Sequence, residues 1–168
     1  MSSNLLKLLP LLALSACGFT PLYGGDSGTA TSTRLDEVEV QNIPERPGQL
    51  LRESLQTALY PQGAPAIETY ALNVTYNVVQ SDIGILADTA GSRVRYTGVA
   101  VWSLSPIGNP AKVLAHGTAT AMDAEDTIDE QYFAGNLQAN TINQHLADEL
   151  AGNISSQLAV WFSAHPGA

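Results

Sequence analysis

The chain has 168 residues, 45% hydrophobic and 14% charged, a composition that fits one globular domain of ordinary size. Seven Lys and Arg against 16 Asp and Glu give a formal charge of −9, which argues against a nucleic-acid binder, because phosphates demand a basic surface. A single cysteine excludes both an internal disulfide framework and a thiolate metal site.

At the N-terminus, Lys7 supplies a positive charge, Leu8 to Leu14 form an apolar run, and Leu14-Ser15-Ala16-Cys17 closes it. This is the layout of a secretory signal peptide with a small-residue cleavage site. The apolar stretch from Leu5 to Ala16 holds 12 residues and contains Pro10, against the ~20 needed to span a bilayer, so residues 1–16 read as an export signal. The closing tetrad resembles a bacterial lipobox. By that resemblance the Cys17 thiol carries a diacylglyceryl group and its amine a further acyl chain. Only a thiolate is nucleophilic enough for the thioether, so no neighbouring serine could substitute. Gly18 follows where an aspartate would signal retention, which by the same resemblance implies passage to the outer membrane, with the mature chain on its periplasmic side. Without residues 1–16, 6 basic residues stand against 16 acidic ones.

Residues 17–34, rich in Gly, Ser and Thr, show no period of 2 or 3.6 and read as a lipid-anchored flexible linker ahead of one periplasmic domain, 35–168. Gly25-Asp26-Ser27-Gly28 matches the nucleophile loop of chymotrypsin-like proteases, but a leash precedes it where a catalytic double barrel would be required. Leu35 to Ile43 predicts a short strand with Val38 and Val40 on one side, ended by Pro44 and Pro47. From Gly48 the period changes: Leu51, Leu55, Ala58 and Leu59 make one apolar helical face, stopped at Tyr60-Pro61. Strand, helix, strand is a crossover, so the first two strands are expected to be parallel neighbours.

Tyr70, Leu72, Val74, Tyr76 and Val78 alternate with Ala71, Asn73, Thr75 and Asn77, which predicts a strand with one buried and one polar face. The pattern breaks at Ser81, and the connection to Ser92 reads as a loop or protruding hairpin tip. Its apolar Ile83, Ile85 and Leu86 either fold back on the core or touch a partner. Arg93 to Leu104 predicts a third strand, with Val94, Tyr96, Ala100, Trp102 and Leu104 on one side and Arg93, Arg95, Thr97, Val99 and Val101 on the other. Lys112 to Met122 predicts a fourth, whose Val113, Ala115, Gly117, Ala119 and Ala121 form a small-residue face suited to a closely packed helix. Thr127 to Glu130 fits a capping box. From there Ile142, Leu146, Leu150, Ile154 and Leu158 recur every fourth residue, joined by Phe133, Leu137, Trp161 and Phe162, in one long helix to about Ala164. A kink or break is expected at Gly152-Asn153.

His116, His145 and His165 have no metal-ligand spacing, and no phosphate-binding glycine loop or nucleophile elbow occurs. Asp123, Glu125, Asp126, Asp129 and Glu130 read as negative charge at a helix start, where it complements the dipole. No catalytic residue, metal or cofactor is therefore expected, and the chain reads as non-enzymatic.

The opening phrase Cys17-Gly18-Phe19-Thr20-Pro21-Leu22-Tyr23, the segment Val40-Gln41-Asn42-Ile43-Pro44-Glu45-Arg46-Pro47-Gly48-Gln49-Leu50-Leu51-Arg52 and the ending Ala159-Val160-Trp161-Phe162 resemble the LptE family of outer-membrane lipopolysaccharide-assembly lipoproteins, in its alphaproteobacterial form. The resemblance implies an α+β fold: a two-layer sandwich, with a short helix after strand 1 and a long C-terminal helix on one face of a four-stranded mixed sheet. It also implies a plug and assembly partner for an LptD-type outer-membrane β-barrel, which delivers lipopolysaccharide to the cell surface. On that implication Asn73, Thr75, Asn77, Ile83 and Ile85 are candidate barrel contacts, and Thr97, Thr118 and Thr120 extend the polar face. Arg93 and Arg95 are the candidate lipopolysaccharide-binding pair, or else they pair with Asp82 or Asp88. The other reading is a periplasmic lipoprotein holding a small apolar ligand between the long helix and the sheet.

Overall fold

The computed structural model describes residues 31–61, 63, 67–85, 91–126 and 132–167; for 83–85, 91–92, 126 and 132–138 it describes the backbone alone. Four strands, β1 (Val38–Val40), β2 (Tyr70–Ile85), β3 (Gly91–Pro106) and β4 (Ala115–Asp126), form one sheet in the order β1-β2-β3-β4. The two helices that pack on the sheet are α1 (Glu45–Leu59) and α2 (Tyr132–Ala164). β1 runs parallel to β2, as the crossover through α1 requires, and the other pairs are antiparallel. The fold is α+β, a mixed sheet with a short helix and a long C-terminal helix packed on it.

Alternation decides which face the helices cover. Tyr70, Leu72 and Val74 of β2, Tyr96, Ala100, Trp102 and Leu104 of β3, and Ala115, Ala119 and Ala121 of β4 are all buried. Against them lies the fourfold stripe of α2, Ile142, Leu146, Leu150, Ile154 and Leu158, every member buried. A side chain of that size contributes roughly 1.5–3 kcal/mol on leaving water. The small residues of β4 let α2 lie close. At Gly117 an added Cβ would meet Gln157 Oε1 and Trp102 Cζ2 at 2.7 Å each. Gln157 uses that space: it accepts from Trp102 Nε1 at 3.1 Å and donates to the Thr118 carbonyl at 3.2 Å, pinning α2 to two strands.

Several boundaries differ from the sequence pattern. β1 is only Val38–Val40, because residues 31–35 are helical and take in Leu35, with the last part of the stretch read as leash. α1 begins at Glu45 and not at Gly48, since Pro47 in the first turn needs no N–H partner. The chain enters this helix through Glu45 at φ 68°, a left-handed conformation that costs roughly 1–2 kcal/mol in a residue with a Cβ. At Gly48 a Cβ would lie 2.7 Å from Ile43 Cγ2, so the glycine lets the first turn close onto Ile43.

β2 does not end at Val78. It pairs with β3 through Ile85↔Gly91, with irregularities at Asp82/Gly84 and Gly84/Ile85. The broken alternation at Ser81 thus marks bulges in a long hairpin and not a loop. β4 starts at Ala115, leaving Val113 exposed before it, and runs on through Asp123, Glu125 and Asp126, so these acids belong to a strand and not to a helix start. α2 passes through Gly152 without interruption, because Leu150, Ala151 and Ile154 on either side are buried against the layer beneath. Thr127 to Glu130, which include Asp129, lie outside the described residues, as do the side chains of Phe133 and Leu137.

Candidate interaction surface

The face of the sheet turned away from the helices is built by register. At the β1 edge this face carries Glu39 beside Ala71, and its central cross-strand rows are Asn73–Ser103–His116, Thr75–Val101–Thr118, Asn77–Val99–Thr120 and Val79–Thr97–Met122. The β2 and β4 members and Val101 are exposed, while Thr97, Val99 and Ser103 are half-buried by their neighbours. No Asp, Glu, Lys or Arg occurs in these central rows, in a chain with 16 acidic residues, and His116 is their one titratable side chain. Such a face can be dehydrated against a partner at low cost. Amides and hydroxyls exchange water for new hydrogen bonds, and no ion loses its hydration shell.

Beyond these rows, toward the hairpin end, come Ser81–Arg95–Ala124 and then Arg93 opposite Asp126. Both arginines project from the outer face and are exposed. Arg93 has an interaction partner, whereas Arg95 has no ion pair among the described residues. Asp82 lies opposite Val94 in register, and Asp88 is outside the described residues. The structure therefore separates the two arginines in character, which their spacing in the sequence did not. Ile83 and Ile85 belong to the β2 backbone, but their side chains, like Leu86, Cys17 and Ser27, lie outside the described residues.

The covered face turns polar near the same end, a feature the sequence pattern did not single out. Tyr96 Oη donates to Glu125 Oε1 at 2.5 Å, and burial, then the hydrogen bond and charge of Glu125, push the Tyr96 phenol up to about 12. Burial alone pushes Tyr76 to about 12. Its hydroxyl and Glu125 Oε2 are buried with no hydrogen-bond partner among the described residues. His145 on α2 meets Asp123 Oδ2 at 3.2 Å, with its ring largely in solvent. Among the described residues no set of three or more His, Cys, Asp or Glu is placed to hold a metal ion.

An open cleft of about 500 Å³ runs between α1 and α2, lined by Glu53, Ser54, Thr57, Gln144, Asp148 and Gly152 among others. Ser54 Oγ donates to Asp148 Oδ1 at 2.6 Å, and Gln144 Nε2 donates to the same oxygen at 3.0 Å. This is a polar seam between helices. The α2–sheet interface buries the whole stripe from Ile142 to Leu158.

The architecture is one that bacterial lipoproteins use. A Caulobacter crescentus CB15 protein described as a lipoprotein matches with a TM-score of 0.65 at 23% identity, over 80% of this chain and 97% of its own. A minor lipoprotein from Acinetobacter baumannii matches at 0.59 and 15% identity, over 74% and 91%. Rare lipoprotein B from Shewanella oneidensis matches at 0.56 and 10% identity, over 74% and 92%. At these identities the shared property is the fold. The sequence matches no family model and no curated protein.

Proposed function

We propose that this protein is a lipoprotein component of the outer-membrane lipopolysaccharide translocon. It is anchored through acyl chains on Cys17 at the periplasmic side of the outer membrane, and it fills an LptD-type β-barrel as plug and assembly partner. The observation that carries the reading is the uncharged centre of the outer sheet face, the four rows from Asn73 to Met122. A barrel lumen is polar and lined by alternating side chains, and a face of Asn, Thr, Ser and Val can seat against it without stranding an ion. The fold shared with rare lipoprotein B supports the same reading, and so does the lipobox-like tetrad. The role is non-enzymatic and needs no cofactor. Contact with lipopolysaccharide falls to Arg95, with Arg93 beside it, because a guanidinium fork suits a phosphate.

The test is extraction of the acylated protein in mild detergent with photocrosslinkers at Thr75, Thr118 and Arg95. The expected result is a large barrel protein joined to the first two positions and lipopolysaccharide to the third. Recovery of the acylated protein alone, with no barrel at either sheet position, would overturn the reading.

A further inference from the structure

Among the described residues, exposed large apolar side chains fall in two places. Val79, Val101 and Met122 lie on the outer sheet face, and Ile67, Ile107, Val113 and Val160 lie elsewhere, 70%, 43%, 52% and 58% exposed. The second group gathers at one end of the molecule. Ile67 precedes the start of β2 and Ile107 follows the end of β3, two strand ends that meet as Tyr70↔Pro106. The Ile107 N–H donates to the Thr69 carbonyl at 3.0 Å, and Leu114, next to Val113, donates to Leu104 at 2.8 Å. Tyr70 packs edge-on against Phe162 with centroids 5.2 Å apart, which brings the last turns of α2 to the same end.

The N-terminal segment joins the domain here too. Arg34 donates to the carbonyls of His165 at 3.1 Å and Pro166 at 2.6 Å, clamping the end of α2, while Thr31 and Leu35 are buried. Fourteen peptide steps separate Cys17 from Thr31, so a lipid at Cys17 lies at most about 50 Å from that junction. The hairpin end of the sheet is farther from the junction by roughly 50 Å, the length of a 16-residue strand.

We propose that this loop end is a membrane-docking surface. In the anchored protein without its barrel, Ile67, Ile107 and Val113 rest in the interface of the bilayer that holds the Cys17 lipid. The inference rests on the lipid-anchored reading above. Lys112, exposed beside Val113, faces headgroup phosphates, whereas Glu68, exposed beside Ile67, opposes them. The contact is thus carried by apolar side chains and is weak on its own. The tether makes it effective, because an anchored domain meets the bilayer at high local concentration.

The experiment uses the acylated full chain in phosphatidylethanolamine–phosphatidylglycerol vesicles, with a nitroxide on Ile107→Cys or, as control, Thr118→Cys. The Cys17 sulfur is consumed by the thioether, so the introduced thiol is the one labelled. The expected result is an Ile107 label relaxed by oxygen and shielded from a water-soluble nickel chelate, with the Thr118 label the reverse. In an Ile67→Ser, Ile107→Ser, Val113→Ser variant, a label on Lys112→Cys leaves the lipid while the protein still floats with the vesicles. Equal nickel access at both positions in floating protein overturns the docking surface alone. So does an Ile107 label shielded from nickel and oxygen together, which signals a second copy seated there. Protein that carries no acyl chain and fails to float overturns both readings.

Discussion

Gly117 sets the distance between the two layers. Its missing side chain leaves room for the Gln157 amide to join the Trp102 indole to the Thr118 carbonyl. Gly117→Ala is expected to cost about 1–3 kcal/mol, the usual effect of overpacking a filled interior. It should appear as a lower urea midpoint with an unchanged slope. The buried tyrosines make a second residue-scale prediction. Tyr76 and Tyr96 hold their protons to about 12 in the folded chain, and a tyrosine in the unfolded chain releases its proton near 10.0. Between those values the folded state binds more protons than the unfolded one, so stability is complete below pH ~10 and falls as pH rises toward ~12. Urea unfolding followed across that window should show the decline, and a Tyr76→Phe, Tyr96→Phe double variant should flatten it.

At the scale of elements, the long helix gives the clearest test. Gly152 is exposed, has open space where a Cβ would stand, and lies inside an unbroken α2. Gly152→Ala should therefore raise stability by ~1 kcal/mol, the difference in helix propensity, read as a higher thermal midpoint. The expected break did not form because propensity is a small local term, whereas the buried neighbours Leu150 and Ile154 hold both sides of the glycine in register. Elsewhere the legible elements were those with a long period. The alternation of β2 and β3 and the fourfold stripe of α2 identified the large inward residues in advance, but not the small ones beside the stripe, Ala147, Ala151, Ser155 and Ala159. The bulges at Asp82/Gly84 and Gly84/Ile85 hid the last part of the hairpin, since each shift resets a period of 2. Pro47 hid the start of α1, and the acids of β4 resembled a helix start because Asp123 and Glu125 fall just ahead of the next helical pattern.

For the whole molecule, the outer face was legible only strand by strand. Asn73, Thr75 and Asn77 stood out in β2, but the uncharged rows exist only once β3 and β4 are laid in register beside it, and no local pattern carries that register. The polar cluster on the inner face is hidden for the same reason: Tyr96 and Glu125 are 29 residues apart in the chain. If the neutral face seats in a barrel, a charge on it must be stripped of water with no counter-ion waiting, a penalty of several kcal/mol that applies in the complex alone. Thr118→Asp is at an exposed strand position, so its effect on the isolated domain should stay within about 0.5 kcal/mol. Co-purification of a barrel with the acylated variant should nevertheless fall by at least about tenfold, the equivalent of 1.4 kcal/mol. Asn153→Asp, exposed on the solvent side of α2, places the same charge away from the sheet and should leave recovery unchanged. Equal recovery of the barrel with both variants would place the contact on some other surface and remove the reason for the neutral face.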